Sequence, residues 1–429
     1  MHNDLWSYLQ NHTEMPKKLL SLAQKVYREI EPAVQKIEAI RGYNQLRVLD
    51  AFRTESIGLY HFTGSTGYGY GDVGRESLES LYARIFGTEA AIVRPQLASG
   101  THAIAATLFG VLRPGDELLY ASGQPYDTLH KTIGLTPAPG SLKEFGVTYN
   151  EVSLTTESRL DIPNILAAIK PKTKVVAFQR SKGYTWRPSF SVQELGKAIA
   201  AVKEVAPQVI TFVDNCYGEF VEVNEPSHLG ADLTVGSLSK NPGGTLAPFG
   251  GYIVGPNELL EQVFSRLTAP GLGPDVGATG EGGLRLFFQG LYMAPHIVAE
   301  SLVGAVFTAR ILSCLGLTVA PEPFEERADI IQGIQFPTQE ALIGFCQGIQ
   351  SGSPIDSNVT PIPAPMAGYK DLVIMSAGSF VQGSSAELSA DAPLRDPAYL
   401  FLQGGSTREQ VIYAVLTGIL KSGQIGIDF

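Results

Sequence analysis

Cysteine is scarce in this chain of 429 residues. Its three cysteines, Cys216, Cys314 and Cys346, are scattered and odd in number. They lack metal-ligand spacing, which excludes a disulfide framework or a zinc motif and points to a reducing cytoplasm. Clusters of Lys and Arg are also missing, and 32 basic against 42 acidic residues leave a net charge of −10. Such a balance argues against nucleic-acid binding. The opening MHNDLWSYLQNHTEMPKKLL has no apolar core of the signal-peptide kind. No run reaches the roughly 18 apolar residues of a membrane span, and there is no internal repeat or low-complexity segment. Glycine is plentiful: 46 glycines and a hydrophobic content of 44% suit a large, loop-rich α/β core. The length allows two or three domains.

The most informative stretch is ADLTVGSLSKNPGGTLAPFGGYIVG, residues 231–255. Leu233-Thr234-Val235 and Gly251-Tyr252-Ile253-Val254 read as short buried strands. Between them lies Ser237-Leu238-Ser239-Lys240-Asn241-Pro242-Gly243-Gly244. A buried ammonium costs several kcal/mol unless its charge is paired or its pKa falls. A desolvated lysine is also a good Schiff-base amine. The hydroxyls of Ser237 and Ser239 beside it could hold a phosphate. The combination points to Lys240 as the lysine of an aldehyde cofactor, pyridoxal phosphate (PLP).

A second signal lies 26 residues upstream of Lys240. Val209-Ile210-Thr211-Phe212-Val213 runs into Asp214-Asn215-Cys216-Tyr217. An acid directly after a buried strand stands where an open α/β sheet presents ligand groups. PLP needs a carboxylate at its pyridine nitrogen, and Asp214 supplies one. Further upstream, Ser99-Gly100-Thr101 opens a helix, and the free N–H groups there make a phosphate cradle.

VDNCYGEF followed by ADLTVGSLSKNPGG resembles the fold-type I PLP enzymes of the cystathionine lyase and methionine γ-lyase group. The nearest likeness is to the branch often labelled aluminium-resistance proteins, over about Tyr68 to Arg395. The resemblance implies an α/β fold of the aspartate-aminotransferase type, with a large, mostly parallel sheet domain and a smaller α+β C-terminal domain. The expected division is a helical arm at 1–45, the PLP domain at 46–295 and the small domain at 296–429. It further implies a homodimer or homotetramer with shared sites. Tyr68 or Tyr70, with Arg75, would reach the neighbouring subunit's phosphate from the glycine-rich loop HFTGSTGYGYGDVGR. Tyr126 would stack on the cofactor ring and assist proton transfer, and Tyr217 would lie near the pyridine oxygen.

Arg180 and Ser181 follow the strand-like KVVAFQ and are expected to face the site, whereas His130, Lys182 and Arg187 read as structural or surface residues. Arg395 offers the bidentate fork that suits a substrate α-carboxylate. Residues 16–41 carry apolar positions at three and four spacing and read as one or two amphipathic helices. Ala269 to Gly277 reads as a loop over the site, and a long helix from Gly282 to Leu312, interrupted near Pro295, links the domains. Three functions stay open: a carbon–sulfur lyase acting on a sulfur amino acid, another fold-type I reaction such as amino transfer or aldol cleavage, and a non-catalytic PLP-binding regulator.

Overall fold

The structure, a computed structural model, describes residues 4–366 and 369–423. Its chain divides into two units. The larger comprises Tyr43–Lys182 and Pro188–Pro295; the smaller comprises Gly183–Arg187, the described residues up to Gly42 and those from His296 onward.

Seven strands form the sheet of the larger unit: β1 (Ala90–Arg94), β2 (Glu117–Tyr120), β3 (Thr148–Glu151), β4 (Thr173–Gln179), β5 (Ile210–Asp214), β6 (Leu233–Ser237) and β7 (Gly251–Gly255). Their order is β1-β7-β6-β5-β4-β2-β3. The neighbours from β3 to β6 pair in parallel, while β7 runs antiparallel to both β6 and β1. Strands buried on both faces read as continuous apolar runs, which is why KVVAFQ, ITFVD and LTVGS stand out in the sequence. On one face, Val175, Ala177, Phe212, Val235 and Ile253 pack with helix Gly100–Val111. On the other, Val176, Phe178 and Val213 pack with helix Val192–Val205. Period-two alternation along β4 and β5 thus serves two cores.

The smaller unit holds an antiparallel sheet of five strands: β8 (Thr318–Ala320), β9 (Gln332–Gln335), β10 (Val373–Ser376), β11 (Ser389–Pro393) and β12 (Tyr399–Gln403), in the order β10-β11-β12-β9-β8. The amphipathic stretch at 16–41 forms helices Lys17–Glu29 and Glu31–Thr54. Leu19, Leu20, Ala23, Val26 and Ile30 enter the same core as Val303, Phe307, Leu400 and Val415. The helix Arg285–Cys314 continues through Pro295. It is long and apolar enough by composition to pass for a membrane span, a feature that a search for unbroken apolar runs overlooks; 83% of its most apolar window is buried inside the protein. Ala364 to Lys370 reads as a loop in the sequence; Ala367 and Gly368 within it lie outside the described residues.

One buried acid of the smaller unit sets a pH dependence. Asp391 on β11 accepts hydrogen bonds from Tyr184 Oη (3.0 Å), Ser389 Oγ (3.0 Å) and Gln403 Nε2 (2.6 Å). Burial raises its pKa to about 6, although all three bonds pull the other way. An unfolded aspartate titrates near about 3.9. Between about pH 4 and 6 the folded chain therefore keeps a proton that the unfolded chain releases. Stability falls as pH rises across that window, by at most about 1.4 kcal/mol per unit. Asp391→Asn removes the titrating group. Denaturation midpoints measured from pH 4 to 6.5 should fall less steeply in this variant than in the wild type; equal slopes would show that Asp391 does not titrate there.

Candidate active site

The turns after β5 and β6 and the start of helix Gly100–Val111 converge at one point of the larger unit. Gly100 marks the closest approach: a Cβ there would stand 2.9 Å from Ser237 Cβ and 3.4 Å from Cys216 Sγ. Only a residue without a side chain lets the helix start meet both turns. Ser99 caps this helix, its Oγ accepting from the His102 N–H at 3.1 Å. The N–H groups of the first turn have no partner within the helix, and they face anions favourably. Ser237 Oγ and Ser239 Oγ lie 2.9 Å apart beside this helix start.

Lys240 follows in a turn closed by the 3-10 stretch Asn241–Gly243. At Gly243 a Cβ would lie 1.6 Å from the Leu238 carbonyl oxygen, so the turn demands glycine. The Lys240 Nζ stands 3.8 Å from the centroid of the Tyr217 ring. Burial acts to lower the amine's pKa, but the acidic groups around it outweigh that and hold it well above the ordinary lysine value. These are Cys216, Tyr217, Asp214 and Tyr126. The free side chain thus rests as an ammonium.

Asp214 ends β5 and is 3% exposed. Its Oδ1 accepts the Cys216 N–H at 3.1 Å. Burial pushes its carboxyl up from the ordinary value, against the pull of Lys240 and Cys216. A cationic ring nitrogen placed at this carboxylate would offset that penalty. Tyr126 donates its backbone N–H to Gln179 Oε1 (3.1 Å), and its hydroxyl meets Thr101 Oγ1 at 3.2 Å. Burial, then the Asp214 charge, raise its phenol pKa. The phenol is therefore a proton carrier in its neutral form.

Several expected contributors stand differently. Arg180 is fully buried, and its guanidinium turns into an acidic network instead of a ligand space. It donates to Asn215 Oδ1 (2.7 Å) and Glu222 Oε2 (2.5 Å) and lies 3.5 Å from Glu225. A buried cation persists only with such partners. Ser181, also buried, accepts from Gln179 Nε2 through its carbonyl. Arg75 is 1% exposed and donates to the carbonyls of Gly69, Gly277 and Asp275. It ties loop 64–72 to loop 273–283, where Ser65, Asp72 and Thr279 also bond together. Tyr68 and Tyr70, by contrast, are 70% and 67% exposed and stack on each other at 5.5 Å. Arg395 belongs to the smaller unit, where its half-exposed guanidinium meets Asp371 (3.7 Å) and the Tyr184 carbonyl (3.1 Å).

Sequence reasoning missed the layer beneath the turns. Tyr252 Oη donates to Glu219 Oε1 (2.9 Å), Asn215 Nδ2 reaches Tyr252 Oη (3.3 Å) and Glu225 Oε2 (3.0 Å), and Asn241 Nδ2 donates to the Glu219 carbonyl (3.0 Å). Glu219 is wholly buried, and burial followed by the nearby Glu225 charge pushes its carboxyl up to about 8. The acids of GEFVEVNEP were the available signal. Among the described residues, no group of three or more His, Cys, Asp or Glu is placed to hold a metal ion.

A family model described as Methionine gamma-lyase matches residues 19–422. The chain belongs to this family. A Bacillus subtilis protein named YnbB, uncharacterized, is 51% identical over 410 residues, covering 95% of this chain and 96% of that one. A solved structure from Clostridium novyi NT, described as a carbon-sulfur lyase involved in aluminum resistance, superposes with a TM-score of 0.92. It is 45% identical and covers 96% of this chain and 97% of its own. An L-methionine gamma-lyase of Pseudomonas putida is 30% identical over 216 residues, about half of each chain (49% and 49%). The fold class is the fold-type I α/β architecture, with its mostly parallel seven-stranded sheet and smaller antiparallel sheet.

The close approach at Gly100 is testable against an open glycine. Gly42 lies within helix Glu31–Thr54, and a Cβ there would meet nothing within 4 Å. Gly100→Ala should lower the thermal midpoint of the protein, by a cost of about 1–3 kcal/mol typical of overpacking. Gly42→Ala should hold or raise it, since alanine is the better helix former by about 1 kcal/mol. Equal midpoints for the two variants would show that the turns have room at Gly100.

Proposed function

We propose that this protein is a PLP-dependent carbon–sulfur lyase that acts on a sulfur-containing amino acid. The carrying observation is the convergence at Gly100 of an anion-binding helix start, a lysine turn and a buried strand-end aspartate. Each part suits one portion of the cofactor. The N–H groups from Ser99 to Thr101, with the Ser237 and Ser239 hydroxyls, suit a phosphate. Lys240 suits the aldehyde carbon, and Asp214 suits a protonated ring nitrogen. Tyr126 provides the ring to stack on. Bound PLP would supply the electron sink for α-carbon chemistry.

The chain's own groups then have defined tasks. Lys240 Nζ, once released, takes the proton from the substrate α-carbon. Asp214 keeps the ring nitrogen protonated. Tyr126, neutral and hydrogen-bonded to Thr101, assists proton transfer. Arg395 remains the proposed holder of the α-carboxylate. Elimination cleaves a carbon–sulfur bond, and with water the products are a thiol, a 2-oxo acid and ammonia. The three free thiols, Cys216, Cys314 and Cys346, fit a reducing cytoplasm.

Assembly belongs to the same proposal. The knitted loops 64–72 and 273–283 hold Tyr68 and Tyr70 outward, which suits donation to a second copy's phosphate in a homodimer or homotetramer. Arg75 then serves by fixing the loop. Mixing a Tyr68→Ala/Tyr70→Ala double variant with Lys240→Ala should restore activity on subunit exchange; exchange without recovery would confine the tyrosines to their own chain.

The test of function is product analysis. Purified protein supplied with PLP should release thiol and 2-oxo acid from at least one of cystathionine, methionine, cysteine and homocysteine. Lys240→Ala should lose this entirely, and Asp214→Asn should lose most of it, on the order of 100-fold or more, while remaining folded. Amino-group transfer to a 2-oxo acid without thiol release would refute the lyase reading.

A further inference from the structure

Tyr217 occupies a backbone conformation that a bulky residue adopts only when its surroundings impose it, with φ at +73°. The turn that imposes this is tight. Cys216 bonds back to Asp214 Oδ1 (3.1 Å), and the Gly218 N–H bonds to the Asn215 carbonyl (2.9 Å). Phe220, also left-handed at φ +63°, is held through its N–H by Glu225 Oε1 at 2.8 Å. The result of this conformation is specific: the face of the Tyr217 ring, not its hydroxyl edge, lies toward Lys240, with Nζ 3.8 Å from the ring centroid. That distance is well inside the roughly 6 Å over which an aromatic face attracts an ammonium.

The geometry points to Tyr217 as a positioning residue for Lys240, its ring face being the seat on which the free lysine rests as an ammonium. This deepens the lyase reading and rests on it where turnover is concerned. An aromatic face stabilises the charged amine and leaves the neutral amine almost unaffected. It therefore favours the form that Lys240 takes after it has accepted a proton from the substrate α-carbon. It also aims a flexible four-carbon side chain whose amine must return to one atom in every cycle. The family resemblance places Tyr217 near the pyridine oxygen; the ring-face geometry gives it a task toward Lys240, and a single pair of variants separates ring from hydroxyl.

The test begins with cofactor-free protein, so that it does not depend on the function. The pH dependence of Lys240 acetylation by limiting acetic anhydride is read by quantitative peptide mass spectrometry. The other ionisable groups around Nζ are Asp214, Cys216 and Glu219 from the same turn and Tyr126 from the loop after β2. All are retained in every variant. Tyr217→Leu should move the labelling midpoint of Lys240 down by about half a pH unit, and further than Tyr217→Phe, which removes only the contribution of the hydroxyl. Should the leucine variant fail to fold, Tyr217→Asn removes the ring with a residue that tolerates this backbone, and the same downward shift is expected. In the PLP-loaded enzyme the leucine variant should lose about 3- to 10-fold in kcat with KM kept, and the phenylalanine variant should stay within twofold. A midpoint unmoved by removing the ring, or moved equally by Tyr217→Phe, would overturn the proposal. Failure of the lyase reading would show separately, as absent thiol release in a wild-type protein whose labelling shift still holds.

Discussion

The close packing at Gly100 is the constraint on which the rest of the site depends. Because this residue carries no side chain, a helix start, a lysine turn and an aspartate turn share one small volume. Each of these alone is commonplace. Together they place anion-binding N–H groups, an amine and a carboxylate where a single ligand could meet them all. The close fit recurs nearby. A Cβ at Gly236 would lie 2.4 Å from both Glu219 Oε1 and the Tyr252 ring, and at Gly244 it would lie 2.2 Å from the Gly290 carbonyl. Much of the glycine in the central stretch is thus bound by contact rather than by flexibility.

Charge is the second constraint. The turn after β5 gathers Asp214, Glu219, Glu222 and Glu225 close to one another, mostly out of water. Arg180 neutralises part of this from beneath, through Asn215 and two of the acids. Glu219 avoids ionising, and its pKa of about 8 records the cost of a further buried charge. Lys240, held well above the ordinary lysine value by Cys216, Tyr217, Asp214 and Tyr126, keeps its proton. The amine must lose that proton before it can bond to a carbonyl carbon. A ligand that brings positive charge to Asp214 would ease this by taking up part of the acidic field, and cofactor binding would then be linked to lysine reactivity through electrostatics.

Strands β4 to β7 were legible because a sheet covered on both faces is written in unbroken apolar runs, whereas β3 reads TYNE and carries no such run. Asp214 stood out because a charge at the end of such a run is unusual, and Lys240 because it lies in a tight turn between two of them. Other parts were hidden for identifiable reasons. β11 reads SADAP, with small residues and a proline that hide its strand character. Arg75 and Arg180 were visible as charges near the site, but a sequence does not say which carbonyls or carboxylates a buried guanidinium will find. The Glu219–Tyr252–Asn215 layer joins residues up to 37 positions apart, and no local pattern announces it. The N-terminal helices were legible by periodicity, but not the core they enter, since their partners, from Val303 to Val415, lie far along the chain.

The central claim is that Lys240 is the covalent anchor of an aldehyde cofactor. It is tested most directly by reducing the PLP-treated protein with borohydride and mapping the modified peptide. The account predicts a yellow protein that bleaches on reduction, with one pyridoxyl group per chain, located on Lys240, and no such label in Lys240→Ala. Stoichiometric labelling at a different lysine, or none at all in a folded, PLP-saturated protein, would contradict it.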